Sequence, residues 1–243
     1  MGNGRRGFRG VYIMTYKLLS VDADTKTIKG RKIGFLTGIL YLAPYDLSGV
    51  NLCPFAKVAE CHVACLNTAG RGNFSNVKNA RLRRAKLFND NRGEFFAQLI
   101  EDINKLIKQA KKKNLEPVVR LNGTSDIEFE HIKVTGDYTI FDLFPSIQFY
   151  DYTKNPNRKN LPANYDLTFS YSGVESFIKF NRKALANNMR VATVFKILPA
   201  EFMGREVIDG DEHDARFIEP SNVIIGLKAK GKARQDKTGF VIQ

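Results

Sequence analysis

An α/β protein organised on a parallel sheet is what this sequence predicts, and two observations carry the prediction. Short apolar runs rich in β-branched and aromatic residues recur at 33–43, 117–121, 147–151, 166–170, 190–196 and 222–227. Helical stretches separate several of them, the rhythm of parallel strands joined by right-handed crossovers. Six such units are too few for a standard eight-stranded barrel, so they make a partial barrel or an open wound sheet. No internal repeat and no low-complexity linker interrupts the chain. One domain is therefore expected over 32–243, preceded by a tail and a β-hairpin over 1–31.

The elements follow in order. Val11–Val21 and Thr25–Ile28, with a polar turn near Asp22–Asp24, read as the two arms of the hairpin. The apolar run Lys32–Pro44 suits a buried strand. Residues 75–90 read as a helix with Ser75 as N-cap. Residues 94–113 give the clearest helix. Phe95, Phe96, Leu99, Ile100, Ile103, Leu106, Ile107 and Ala110 form one stripe at helical spacing. The lysines at its end suit the negative pole of the helix dipole. A short helix is expected around Phe141–Phe144, a longer one over 174–187, and a loop over 201–220.

Composition narrows the function classes. Hydrophobic residues make up 43% of the chain, with 18 Phe and 9 Tyr, enough for a packed core. No stretch reaches the ~18 unbroken apolar residues of a membrane span, and the basic start of the chain is not followed by the apolar segment of a secretory signal. A cytoplasmic protein with reduced thiols is expected, in the host cytoplasm if the gene belongs to a phage. The net charge of +13 raises the odds of a polyanionic partner such as nucleic acid. Basic runs at 81–86, 111–113, 154–159 and 228–237 are equally what a solvated surface looks like.

The chemistry concentrates in one place. All three cysteines, Cys53, Cys61 and Cys65, lie in one 13-residue window. Clustered thiols in a reducing compartment point to metal rather than to disulfides. A structural zinc takes four protein ligands and an ordinary iron–sulfur cluster four thiolates. Three leave one iron of a cubane free to bind a small molecule from solution. A zinc site completed by His62, His131 or His213 is the alternative. The acidic run Asp209–Asp214 lacks EF-hand spacing and reads as a surface loop.

Functional residues of parallel α/β folds gather at the carboxyl ends of the strands. Here those ends carry the cysteine loop, then Asn122-Gly123-Thr124-Ser125-Asp126, Tyr150-Asp151-Tyr152-Thr153, Ser170-Tyr171-Ser172, Lys196, and Lys228 with Lys230. Asp126, Tyr150 and Lys196 are the candidate catalytic residues among them.

A strand, a three-cysteine loop, a helix and further β/α units in this order resemble the radical S-adenosylmethionine enzymes. The resemblance implies a partial (β/α)6 TIM-like barrel, here with an N-terminal β-hairpin, and a [4Fe-4S] cluster held by Cys53, Cys61 and Cys65. It further implies S-adenosylmethionine on the open iron, Asn122, Gly123, Thr124, Ser125 and Asp126 beside its methionine moiety, Ser170 or Ser172 near the ribose, and an electron donor as partner. The spacing here is C-x7-C-x3-C rather than C-x3-C-x2-C, and Asn-Gly-Thr-Ser-Asp stands in place of Gly-Gly-Glu. The segments Cys65–Gly72, Arg120–Asp126, Tyr150–Pro156 and Leu227–Arg234 are also similar to a bacteriophage and plasmid family of "gene product" proteins. Two functions follow as expectations. One is a [4Fe-4S] protein with redox or radical chemistry. The other is a basic nucleic-acid-binding protein whose cysteines hold a structural zinc, with Phe149, Tyr150, Tyr152 and Tyr171 available to stack bases.

Overall fold

The computed structural model describes residues 17–243 apart from 23, 24, 66 and 68. The chain forms β1 (Leu19–Val21), α1 (Thr25–Gly30), β2 (Phe35–Leu40), α2 (Ser75–Asp90) and α3 (Arg92–Lys113). It continues with β3 (Glu116–Arg120), β4 (Lys133–Thr135), β5 (Tyr138–Thr139), α4 (Ile140–Leu143), β6 (Gln148–Thr153) and β7 (Tyr165–Ser170). The last elements are α5 (Ile178–Ala186), β8 (Arg190–Phe195), β9 (Glu201–Phe202), β10 (Arg205–Asp209) and β11 (Ile224–Lys228).

Nine strands pair in the order β1-β2-β3-β6-β7-β8-β11-β10-β9. The six from β2 to β11 are parallel and lie in chain order. These are the six strands expected from the apolar runs. A doubly wound sheet reverses its strand order at a switch point; across these six, no reversal occurs. β10 adds in parallel to β11, while β1 and β9 add antiparallel at the two ends. No ladder joins β1 to β9 among the described residues, so no closed barrel is formed.

Side-chain alternation gives the sheet two unlike faces. Leu36, Leu40, Val119 and Phe149 point toward the helices and pack with Phe95, Leu99, Ile103, Leu106 and Ala110 of α3. Asn91 caps α3 by accepting from Glu94 N–H at 3.1 Å, and Asn114 ends it in the left-handed conformation at φ 52°. Asp102 of α3 accepts from the backbone N–H groups of Leu18 and Leu19 at 2.6 and 3.1 Å, tying β1 to the helix layer. The opposite face carries Arg120, Tyr150 and Tyr152 and is covered by the segment after β10. There Phe217 meets the rings of Phe35 and Tyr150 at 5.1 and 5.4 Å, and Arg216 is fully buried.

Several expectations are corrected. Thr25–Gly30 is helical, not the second arm of a hairpin, and β1 pairs with β2 instead. The reason is burial: Leu19 opposite Leu40 enters the core, whereas Ile28, whose side chain suggested a strand, faces solvent. The part of the expected hairpin before Lys17 lies outside the described residues. Ser75 is the first residue of α2 rather than its N-cap, and Phe74 precedes it without a side-chain cap. The expected loop 201–220 contains β9 and β10, and the β4–β5 pair was not anticipated.

Gly123 follows β3 where the chain crosses the end of β2. A Cβ there would sit 2.6 Å from Tyr41 Cδ1, 2.7 Å from Ile39 Cγ2 and 2.8 Å from the Leu40 carbonyl oxygen. Backbone cannot yield as a flexible side chain does, so Gly123→Ala should cost about 1–3 kcal/mol by overpacking. Chemical denaturation of the variant checks this, and wild-type stability would show that the two strand ends have room to separate.

Candidate metal centre

The loop after β2 is stitched to the ends of three other strands. Asp126 N–H donates to the Leu52 carbonyl at 2.8 Å, and the Thr124 hydroxyl donates to that of Leu42 at 2.5 Å, joining the loop to the β3 end. The Ser172 and Ser176 hydroxyls donate to the carbonyls of Ala59 and Val58, both at 2.8 Å, joining it to the β7 end. Ala59 is buried with Phe169 and Phe177. Ala64 packs with Ala229, Ala233, Phe240 and Val241 of the segment after β11. Gly231 of that segment leaves only 2.9 Å between a notional Cβ and Ala69. One loop is thus held from several sides at the carboxyl rim of the sheet.

The three cysteines form no disulfide and are half-buried. Cys53 sits in a turn started by Asn51, whose side-chain oxygen accepts from Cys53 N–H at 2.9 Å. Its Sγ receives the Tyr45 N–H at 3.3 Å and lies 3.5 Å from the Thr124 carbonyl. Cys65 Sγ receives the Asn67 N–H at 3.5 Å, and Asn67 is itself held by the buried Arg81 guanidinium. Burial pushes the Cys53 thiol up to about 12; the Tyr45 N–H opposes this and the Asp126 carboxylate adds to it. Burial also raises Cys61, against the pull of the Lys154 ammonium, and raises Cys65, against the Asn67 N–H and Arg81.

The thiols are near enough to repel one another as thiolates. Even so, they do not form a tight trio. Among the described residues, the His, Cys, Asp or Glu ligand atoms lying within 4.8 Å of one another in a group of three are those of Glu128, Glu130 and His131. A tetrahedral zinc with Zn–S of about 2.3 Å holds its sulfurs about 3.8 Å apart. A cubane places each thiolate on its own iron and so spreads them wider. The three sulfurs as placed are therefore not all within one ion's coordination sphere. Two sulfurs accept backbone N–H groups and cations act on Cys61 and Cys65; these pull toward thiolate but do not outweigh burial, which holds all three thiols protonated in the metal-free protein.

The three histidines sit in different surroundings. His62 Nδ1 is 3.1 Å from the Ala56 carbonyl, which Cys61 Sγ also meets at 3.7 Å, whereas His131 belongs to the glutamate group and His213 faces Glu219 at 3.4 Å. The glutamates are engaged: Glu130 takes a two-pronged contact from the Arg158 guanidinium and Glu128 accepts from Asn155 at 2.6 Å. Asp209 and Asp211 pair with Lys228 and Lys230, and Asp214 pairs with Arg120 at 2.9 Å. The acidic run is accordingly a network of ion pairs.

The remaining candidates occupy two places. Asn122, Thr124, Ser125 and Asp126 share the rim with the cysteines but make internal bonds. Asn122 Oδ1 accepts from the Ser125 hydroxyl and Ile127 N–H, both at 2.8 Å, and its amide donates to the Ile127 carbonyl. Asp126 Oδ2 accepts from Lys154 N–H at 2.8 Å, and its other oxygen is 3.5 Å from Arg158. Ser170 Oγ accepts from the Lys154 ammonium, and Ser172 is fully buried. Tyr150 points into the opposite face of the sheet, its hydroxyl 3.3 Å from Asp214. Lys196 is exposed beside Gln243. Lys154 and Arg81 are the site residues that sequence reasoning missed. Both lay inside basic runs that read as surface, and no signal in composition separates a buried lysine from a solvated one.

A family model described as Gene product 88 matches residues 16–243. No curated protein and no solved structure matches the chain.

With Cys53 raised from an ordinary thiol value to about 12, the folded, metal-free protein holds protons that the unfolded chain has released. Its stability should therefore fall as pH rises through that interval. At pH 8 the folded thiols should alkylate at least about tenfold more slowly than in denaturant, because the thiolate is the reactive form. Mass spectrometry of iodoacetamide labelling measures this, and rapid labelling of folded Cys53 would contradict it.

Proposed function

Starting from a chain that belongs to the Gene product 88 family, we propose a [4Fe-4S] cluster-binding protein with Cys53, Cys61 and Cys65 as its three protein ligands. The observation that carries this is the placing of three thiols on one loop stitched to the sheet rim, near enough to act on one another as charges though not all within 4.8 Å. With three thiolates, one iron keeps a position for a small ligand. The sequential order of the six parallel strands supports the partial (β/α)6 winding, because it places the loop after the first of them at one end of a common rim.

When bound, the cluster would supply one-electron redox chemistry and a Lewis-acidic iron. The chain's own groups do the rest. Tyr45 and Asn67 N–H groups donate to Cys53 and Cys65. Arg81 and Lys154 offset thiolate charge. Ala233, Phe240 and Val241 keep water from one side of the loop.

The side chains assigned by resemblance to S-adenosylmethionine are a different matter. Asn122, Ser125, Ser170 and Ser172 spend side-chain polar atoms on this chain's own backbone and side chains. Asp126 gives one carboxylate oxygen to the Lys154 N–H while the other, 3.5 Å from Arg158, makes no hydrogen bond among the described residues. No step through S-adenosylmethionine is derived from them. An enzyme that uses the open iron for another small molecule, fed by an electron donor, is the reading we favour. A phage or mobile-element origin accords with the family designation. No described helix is long and apolar enough to cross a membrane.

Anaerobic purification tests the proposal. The protein should be brown and carry about four irons and four sulfides per chain. Single Cys53→Ser, Cys61→Ser and Cys65→Ser variants should each lose most of that iron. A colourless wild-type protein holding one zinc would replace the cluster with a structural ion. Full iron in one variant would remove that cysteine from the ligand set. Incubation of the reduced protein with S-adenosylmethionine, assayed for 5′-deoxyadenosine, shows whether that molecule is the open-site ligand.

A further inference from the structure

Lys154 follows β6 and is buried, with 8% of its surface exposed. Its backbone N–H is anchored on Asp126 at 2.8 Å. Its ammonium donates to the Ser170 carbonyl at 2.7 Å, the Ser170 hydroxyl at 3.1 Å and the Tyr171 carbonyl at 3.4 Å. The rings of Phe177 and Phe240 lie 5.3 and 5.0 Å from the nitrogen. Three oxygen acceptors satisfy the three donors of a protonated ammonium, which a neutral amine could not supply. Flanking π faces add further attraction for a cation. Every donor is spent and both sides are closed by aromatic rings, so the group cannot swing out to hold a substrate. Burial lowers the Lys154 ammonium from its ordinary value, and Cys61 and Asp126 oppose that. The three acceptors and two rings keep the charged form, and Cys61 packs against the same Phe177 and Phe240 clusters, so the remaining action of the group is its charge on that site.

From this cage we propose that Lys154 is a fixed counter-charge that raises the reduction potential of the centre held by Cys53, Cys61 and Cys65. The inference rests on the cluster reading above. One electron from a low-potential donor, dithionite in the test, adds one negative charge to the centre and leaves Lys154 chemically unchanged. A buried cation favours the more negative, reduced state, and burial protects that effect from salt screening. The residue positions charge and does not touch the reacting atoms.

The test is a spectroscopic redox titration of anaerobically reconstituted wild type, Lys154→Met, Lys154→Arg and the exposed control Lys179→Met, with iron content and circular dichroism as checks. Lys154→Met should show a midpoint shifted to more negative potential, with the shift persisting at high salt. Lys154→Arg and Lys179→Met should stay near wild type. An unchanged midpoint in a fully loaded Lys154→Met overturns the inference. So does an equal negative shift in Lys154→Arg, which would mark disturbed packing rather than lost charge. If Lys154→Met does not fold, Ser170→Ala takes its place. It removes one acceptor and loosens the cage, and it must shift the midpoint in the same direction by less; no shift there defeats the idea. A wild-type protein without iron instead defeats the cluster reading, an outcome that iron analysis separates from the others.

Discussion

Six parallel strands laid side by side in chain order impose one constraint on everything else: each turn leaving a strand emerges at the same rim. Distant stretches of sequence therefore meet there without long excursions. The cysteine loop after β2 can touch the turn after β3, the lysine after β6, the serines after β7 and the segment after β11 because the winding delivers all of them to one edge. The price of that gathering is close backbone approach, visible where Gly123 passes the end of β2 and where Gly231 passes Ala69.

The two faces divide the labour. Toward the helices the sheet is apolar and α3 supplies its stripe, so this side accounts for most of the core. The other side is polar and filled by the chain itself. Arg120, Arg190 and Arg216 meet Asp214, Asp166 and Glu219 there. Buried pairs of this kind contribute little net stability, because desolvation cancels much of the attraction, yet removing one partner strands a buried charge. With that side occupied by Arg216 and Phe217, the rim is the face left for the proposed centre.

Much of the fold was legible because its signals are periodic. The stripe of α3 and the six apolar runs survive almost unchanged, since a buried helix face and a buried strand leave repeating marks in sequence. Short polar elements did not. The strands β9 and β10 read as loop because Arg205–Asp209 has only two apolar residues, Val207 and Ile208, set between charged ones, and Thr25–Ile28 mimicked a strand through β-branched residues that fold as a helical turn. For the site, the cysteine cluster stood out by position alone. What lies around it, the cage on Lys154 and the commitment of Asn122 and Asp126 to internal bonds, depends on contacts between residues far apart in sequence, which spacing does not encode.

The ends of the sheet carry a consequence for life in a crowded solution. An open sheet exposes unpaired amides and carbonyls along its outermost strands, a template on which other chains can add. Here the row is finished by β1, three residues long, and β9, two residues long, both turned antiparallel to their neighbours. The long, apolar parallel strands, the ones most apt to recruit a stranger, are thereby kept inside, and among the described residues each margin offers too short a ladder to nucleate a stack.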